Sequence, residues 1–121
     1  MELHMITGEF SVCQVEDLNA VDLTCPFTFL AATDEEISLV MPTKAMPEVT
    51  LSREDGWRMF RVQGVLDFSL IGILSRISSI LAEEKIGIFV LSTFNTDYIM
   101  VKQENLPRAA EALQQEGYTF V

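Results

Sequence analysis

Two polar segments of the chain carry the residue types that suit a small zwitterionic ligand. The first is a glycine-marked turn, Gly-Val-Leu-Asp-Phe-Ser-Leu-Ile-Gly at 64–72, which is predicted to lead from a strand into a helix. A glycine lets the backbone approach a ligand closely, and the unpaired N–H groups of a first helical turn suit a carboxylate. The second segment, Ser-Thr-Phe-Asn-Thr-Asp at 92–97, offers Asp97 to a ligand amine. This combination predicts amino-acid binding without catalytic groups.

Each of these residues also has a structural explanation. Asp67, like Ser69, is a typical helix cap, and Asp97 is a residue type that hairpin turns favour. Ser92 and Thr93 are equally compatible with an ordinary strand. Gly72 is expected inside a helix, where glycine costs about 1 kcal/mol relative to alanine, so it indicates either ligand approach or close helix packing.

Composition limits the classes of partner. The 121 residues suit one compact domain or two very small modules with a shared core, and 49% apolar residues are enough to form a core. The net charge of −10 disfavours nucleic acid and acidic membrane surfaces as partners. No signal peptide or membrane-spanning run is evident. Cys13 and Cys25 lack a metal-like spacing, so we expect a cytoplasmic protein with reduced thiols and no bound metal.

The second half of the chain has a clear periodicity. Apolar residues recur at helical spacing from Leu70 to Leu81 and again from Leu106 to Leu113. The predicted elements are, in order, strand 57–63, a helix at 69–85 ended by Gly87, strand 86–94, strand 98–102, a helix capped by Asn105 and ended by Gly117, and strand 118–121. This β-α-β-β-α-β order predicts a ferredoxin-like α+β unit that the second half completes alone.

The first half is predicted to be a weaker copy of the second. Strands are expected at 10–15, 27–32 and 37–41, with an irregular connection at 16–26 and a short helix or loop within 43–54. The acidic tips of the two predicted hairpins hint at an internal duplication. We therefore divide the chain into a degenerate module at 1–56 and a complete module at 57–121.

Three motifs in the second half resemble an ACT domain. They are Gly-Val-Leu-Asp-Phe-Ser-Leu-Ile-Gly-Ile-Leu at 64–74, Leu-Ala-Glu-Glu-Lys-Ile-Gly-Ile at 81–88 and Leu-Ser-Thr-Phe-Asn-Thr-Asp-Tyr-Ile-Met-Val at 91–101. Thr-Asp-Glu-Glu-Ile-Ser-Leu-Val at 33–40 is similar to the N-terminal module of the same family. The whole chain resembles small bacterial proteins made of two tandem ACT-like modules, akin to the regulatory portion of aspartate kinases.

The resemblance implies a regulatory protein that binds an amino acid, with no catalytic residue, metal or cofactor. Its ligand would lie at a module or subunit interface of a homo-oligomer, most simply a homodimer. Related eukaryotic cytosolic sensors hold arginine with the Thr-Phe-x-x-Asp arrangement found here at 93–97. The implied ligand-binding residues are Asp67, Phe68, Leu70, Gly72, Ile73, Ser92, Thr93, Phe94 and Asp97.

Two other functions are compatible with a ferredoxin-like fold. A scaffold without a ligand would use exposed sheet edges to pair with a second protein. An acylphosphatase-like hydrolase is suggested by Arg-Val-Gln-Gly-Val at 61–65. However, such a loop needs an arginine to hold phosphate, whereas Asp67 would repel it, so we rank the hydrolase lowest.

Overall fold

The computed structural model describes residues 1–64 and 72–121. The chain folds into two compact units, which we call the larger unit (Met1–Thr7 with Arg58–Val121) and the smaller unit (Gly8–Trp57). The described residues contain eight strands and two α-helices, so the predicted α+β class is confirmed. No helix in this part of the chain has the length and apolar character needed to cross a membrane.

The elements follow one another closely along the chain. In chain order they are β1 (Glu2–Met5), β2 (Phe10–Val15), β3 (Phe29–Ala32), β4 (Ile37–Pro42), β5 (Ser52–Val62), α1 (Ile73–Glu83), β6 (Phe89–Ser92), β7 (Asp97–Lys102), α2 (Leu106–Gln115) and β8 (Thr119–Phe120). Two short 3₁₀ helices, Thr43–Ala45 and Gln103–Asn105, follow β4 and β7. The predicted β-α-β-β-α-β order of the second half is therefore confirmed.

The sheet of the larger unit includes a strand from the start of the chain. β1 pairs antiparallel with β5, where Leu3 faces Val62, and parallel with β8, where Glu2 faces Thr119. β7 pairs with both β5 and β6. The expectation that the second half alone completes its sheet is therefore wrong. β1 lies between β5 and β8 and bonds to the backbone of both, which meets the hydrogen-bonding needs of these strand edges.

Both helices of the larger unit pack on one face of this sheet. Alternate residues of β5 and β7 point to that face, and the apolar stripes of α1 and α2 cover it. Fully buried members of this core are Leu3, Phe60, Val62, Ile77, Leu81, Ile99, Val101, Ala109 and Leu113. Phe120 adds an edge-to-face contact with Phe60, at 5.5 Å between ring centroids. The amphipathic helices predicted from the sequence thus form the second layer of the unit.

The two helices end in the same way, although the sequence predicts only one of the two ends. After α2, Gly117 has a φ of 96° and the Tyr118 N–H donates to the Leu113 carbonyl at 3.1 Å, which confirms the predicted stop. After α1, Lys85 takes the left-handed conformation with a φ of 58°. The Ile86 N–H donates to the Leu81 carbonyl at 3.0 Å. The predicted stop at Gly87 is therefore wrong, because burial of Ile86 fixes the turn two residues earlier.

The smaller unit is an antiparallel sheet without an α-helix. Its strands lie in the order β3, β4, β2 and the first part of β5, around a core of Cys13, Val15, Leu39 and Met41. Residues 16–26 form turns and irregular structure, as predicted. β5 begins at Ser52 instead of the predicted 57, because pairing with β2 draws the polar Ser-Arg-Glu-Asp segment into the sheet.

One hairpin occurs twice, once in each unit. β3, β4 and the first 3₁₀ helix begin at residues 29, 37 and 43, and β6, β7 and the second 3₁₀ helix begin at 89, 97 and 103, so each element recurs 60 residues later. Both loops are closed by a threonine N–H that donates over 2.9 Å to a carbonyl three residues later, Thr33 to Glu36 and Thr93 to Thr96. The two loops thus share a backbone pattern as well as a length.

Replacement of Leu3 tests whether β1 is part of the larger core. Leu3 is fully buried, so Leu3→Ala is expected to lower the free energy of unfolding by about 2–5 kcal/mol. Val121→Ala, at a half-exposed position in the same unit, should change it by no more than about 0.5 kcal/mol. Urea denaturation followed by far-ultraviolet circular dichroism measures both. Equal stabilities of the two variants would contradict the insertion of β1.

Candidate functional site

The hairpin between β6 and β7 positions Asp97. Ser92 ends β6, Asp97 begins β7, and the two residues face each other in the strand register. The Ser92 hydroxyl donates to Oδ1 of Asp97 at 2.6 Å. Asp97 is half-buried and Ser92 exposed, so the carboxylate is oriented by a neighbour while it still reaches solvent. This arrangement suits an amine or guanidinium ligand, since a fixed carboxylate forms strong charge-assisted hydrogen bonds.

The remaining loop residues have different roles. The Thr93 hydroxyl donates to the Thr96 carbonyl at 3.1 Å, within the turn itself. Phe94, at the loop tip, has 80% of its surface exposed. An aromatic side chain of this exposure offers apolar area to a ligand or a partner. Of the predicted hairpin residues, the structure thus brings Ser92 and Asp97 into direct contact and assigns Thr93 a bond inside the loop.

Thr96 anchors this hairpin, although sequence reasoning did not select it. Its side chain is 7% exposed, and its hydroxyl donates to the Val62 carbonyl at 2.8 Å. This bond fixes the start of β7 beside the end of β5. A small polar residue just before an apolar strand is the only sequence signal, and it does not distinguish an anchor from a turn residue.

Gly72 and Ile73 lie at the start of α1. Gly72 is the residue that precedes the first helical turn, with a φ of 84°, and the Arg76 N–H donates to its carbonyl at 2.9 Å. The interpretation of Gly72 as an internal helix residue is therefore wrong. The position favours glycine because the left-handed backbone disfavours any side chain with a Cβ. Three further predicted residues, Asp67, Phe68 and Leu70, lie outside the described residues.

A cavity of about 390 Å³ opens beside the start of α1. It is lined by Met1, Gly72, Ile73, Arg76, Glu116, Gly117 and Tyr118. Gly72 and Ile73 are the predicted site residues in this lining. Sequence reasoning missed Arg76, Glu116 and Tyr118, because they come from segments that only the fold brings together.

The hairpin and the cavity lie at the same end of the larger unit, which we call the hairpin end. β5 ends there at Val62, next to Thr96 at the start of β7. β1 runs antiparallel to β5, so its first residues lie at this end, and β8 is parallel to β1, so the turn before Thr119 lies there too. The hairpin end therefore gathers the loops that carry most of the predicted site residues that the structure describes.

Two other side chains with reactive groups, Cys13 and His4, have surroundings typical of structural residues. Burial raises the pKa of the Cys13 thiol, which the nearby Arg53 guanidinium only partly offsets. The thiolate is thus disfavoured, as expected for an inert buried cysteine. The His4 ring nitrogen Nδ1 lies 3.0 Å from the Val121 carbonyl oxygen. Within residues 1–64 and 72–121, no group of three or more His, Cys, Asp or Glu residues could hold a metal ion.

Substitution of Thr96 tests the anchor of the hairpin. Thr96→Val keeps the shape but leaves the Val62 carbonyl without its donor, so we expect a loss of about 1–3 kcal/mol in the free energy of unfolding. Thr96→Ser keeps the hydroxyl and is the matched control, with a smaller expected loss. Chemical denaturation of both variants provides the comparison. If valine costs no more than serine, the bond to β5 does not stabilise the hairpin.

Substitution of Gly72 tests the left-handed start of α1. Among residues 1–64 and 72–121, an added Cβ would meet nothing within 4 Å, so we expect the backbone conformation to oppose Gly72→Ala, at about 1–2 kcal/mol. Gly87 has equal space and no positive φ, so Gly87→Ala is expected to be neutral or slightly stabilising. Thermal unfolding distinguishes them, and a neutral Gly72→Ala would show that the turn relaxes without strain.

Comparison with known proteins places this arrangement in a family. A family model for the ACT domain matches residues 52–115. The human cytosolic arginine sensor for mTORC1 subunit 1 is 34% identical over 90 residues, which cover 67% of this chain and 27% of that protein. The sensor of the same name from Rattus norvegicus is 31% identical over 101 residues. The matched part of the chain thus corresponds to 27% of the length of the human sensor and 30% of the length of the rat sensor.

Solved structures share the fold of this chain. A crystal structure of a protein from Agrobacterium tumefaciens superposes with a TM-score of 0.88 at 27% identity, covering 99% of this chain and 91% of that chain. The ligand-free regulatory subunit of aspartate kinase from Thermus thermophilus has a TM-score of 0.58 at 9% identity, over 88% of this chain and 90% of that one. At that identity the second likeness shows the fold alone. On the match at 52–115, and in agreement with its fold, the chain belongs to the ACT-domain family.

Proposed function

We propose that this protein is a regulatory protein that binds a free amino acid at the hairpin end of the larger unit. The observation that carries the proposal is the Asp97 carboxylate, held by the Ser92 hydroxyl at 2.6 Å and still accessible. Gly72 and Ile73, at the start of α1, contribute to the same site. Asp67, Phe68 and Leu70 are proposed to complete it from the adjoining turn.

The chemistry of the hairpin favours a ligand with a positive group. A carboxylate fixed by a hydroxyl is matched best by an ammonium or guanidinium group, and the exposed Phe94 ring suits a guanidinium plane. The human relative is named as an arginine sensor. Arginine is therefore the first ligand to test. No catalytic step is part of the proposal, and a cytoplasmic location is supported by the cytosolic relatives.

The repeated hairpin supports a tandem arrangement of two ACT modules. β3, β4 and the first 3₁₀ helix recur 60 residues later as β6, β7 and the second 3₁₀ helix. On this basis the chain is two modules, a reduced one within 1–56 and a complete one within 57–121, with β1 contributed to the sheet of the complete one. The smaller unit would then be a structural module that has lost its helices.

A homodimer is the simplest assembly for this function. In the described residues, β6 pairs only with β7, so the outer edge of the larger sheet offers backbone groups to a second copy. A ligand at the subunit interface would then link binding to assembly. The same edge supports the second candidate, a scaffold that pairs with a partner and responds to no amino acid.

A thermal-shift panel of the twenty standard amino acids tests the function. A ligand at about 100 times its dissociation constant adds about 2.7 kcal/mol, which raises the Tm by several degrees for a chain of this size. We expect the largest shift with arginine. Asp97→Asn should abolish that shift, because the charge is lost while the shape is kept.

The control is Asp34→Asn, which removes an exposed acid from the corresponding hairpin of the smaller unit and should leave the shift unchanged. A normal shift in Asp97→Asn would overturn the assigned contact. No shift with any amino acid in the unmodified protein would favour the scaffold.

A further inference from the structure

The cavity at the hairpin end contains two oppositely charged side chains. Arg76 lies on the first turn of α1, and Glu116 lies directly after α2. Both are exposed, and within the part of the chain that the structure describes neither side chain forms an ion pair or a hydrogen bond. Two exposed and opposite charges that line one cavity can each bind a ligand group of the opposite sign through a charge-assisted hydrogen bond.

The helix ends reinforce this polarity. The N-terminus of α1 carries a partial positive charge, and the C-terminus of α2 carries a partial negative charge. Arg76 adds to the positive side and Glu116 adds to the negative side. The cavity therefore has a positive wall and a negative wall, formed by different elements, and it favours a ligand that carries both charges.

The size and the remaining lining narrow the ligand class. A volume of about 390 Å³ is near the lower end of small-molecule sites, which span roughly 300–1,000 Å³. Ile73, Met1 and the buried Tyr118 supply apolar surface between the charged walls. A zwitterion with a short body fits this description better than a nucleotide, which carries no positive group at neutral pH, or a peptide, whose two terminal charges lie farther apart.

We infer that this cavity holds the α-carboxylate and α-ammonium groups of the amino-acid ligand, with Arg76 binding the carboxylate and Glu116 binding the ammonium. The inference rests on the proposed function and adds two specificity-determining residues to its site. The hairpin, with Asp97, is then left to recognise the ligand's side chain. With this division, the cavity requires an amino acid, and the hairpin, which is not part of the cavity lining, selects among amino acids.

The assignment predicts a link between the ligand and the first strand. Met1 precedes β1, Gly117 and Tyr118 lead into β8, and Gly72 precedes α1, so a ligand in the cavity would contact three segments that are distant in the sequence. Bound ligand would therefore hold β1 between β5 and β8. Amide hydrogen exchange of β1 and β8 should slow when the ligand is added.

The test uses the full chain and the amino acid that gives the largest thermal shift, measured by calorimetry. Arg76→Gln and Glu116→Gln are each expected to weaken binding about tenfold or more, since each removes a charged hydrogen bond. Two matched controls change a charge outside the cavity. They are Arg108→Gln, at a residue of α2 that donates to the Glu84 carbonyl, and Glu83→Gln, on the exposed side of α1. They should bind as the unmodified protein does.

Ligand derivatives separate direct contact from indirect effects. The α-amide of the amino acid lacks the carboxylate charge, so the unmodified protein should bind it about tenfold more weakly, while Arg76→Gln should bind acid and amide alike. The N-acetyl derivative lacks the ammonium charge, and Glu116→Gln should likewise bind it and the parent alike. A variant that still prefers the parent ligand by the full factor would overturn its assigned contact.

The outcomes also separate this inference from the proposed function. Suppose that the unmodified protein binds an amino acid and that Asp97→Asn weakens this binding. If neither Arg76→Gln nor Glu116→Gln weakens it, the cavity assignment is wrong and the proposed function stands. If the cavity variants weaken binding and Asp97→Asn does not, the cavity holds the ligand and the hairpin contact is wrong. If no amino acid binds, both are wrong.

Discussion

The pairing of β1 between β5 and β8 is the constraint on which the larger unit depends. β8 has two residues, and among the described strands β1 is its only partner. Without β1, the backbone groups of β8 and of one edge of β5 would lose their bonds, and such groups are costly to leave unpaired. Leu3 also fills the core beneath both helices. One strand of four residues from the beginning of the chain thus completes the sheet of the larger unit, whose other strands lie within residues 58–121.

This pairing also determines where the loops gather. With β1 antiparallel to β5 and parallel to β8, the beginnings of β1 and β8 lie beside the end of β5, and the Thr96 hydroxyl brings the β6–β7 hairpin to the same place. Loops at one end of a packed sheet can carry binding groups while the core supplies rigidity. The hairpin end can therefore carry a recognition site on loops that a rigid core holds in place.

Much of this architecture could be predicted from the sequence, but only where the information is local. The helices follow from apolar residues at helical spacing, and the hairpins follow from polar tips between apolar runs. β1 could not be predicted, because Glu-Leu-His-Met is too short to show alternation and is a strand only through partners more than fifty residues away. The first part of β5 was missed for the same reason, since its polar residues join the sheet by pairing with β2.

The residues of the candidate site can likewise be divided into those that the local sequence predicts and those that it does not. Asp97 and Ser92 could be predicted because a hairpin brings neighbouring residues into register. Arg76 and Glu116 could not be predicted. In the sequence, Arg76 resembles any residue on the polar side of a helix, and Glu116 resembles a solvated residue at a helix end. The sequence indicates Gly72 through the cost of a glycine inside a helix, whereas the residue lies just before α1. A residue at the start of a helix cannot be distinguished in this sequence from one inside it.

The net charge of the chain acts together with the charged side chains of the cavity to decide which ligands are favoured. At −10, the chain repels anions at long range, and this disfavours a dicarboxylic ligand before it reaches any site. At physiological ionic strength, however, such repulsion is largely screened beyond about 8 Å, so nearby groups decide what binds. A single arginine beside the positive end of a helix can hold one carboxylate under these conditions. Two acids, Asp97 and Glu116, at the same end of the unit then favour ligands whose other groups are positive, so the charge of the whole chain and that of the site select in the same direction.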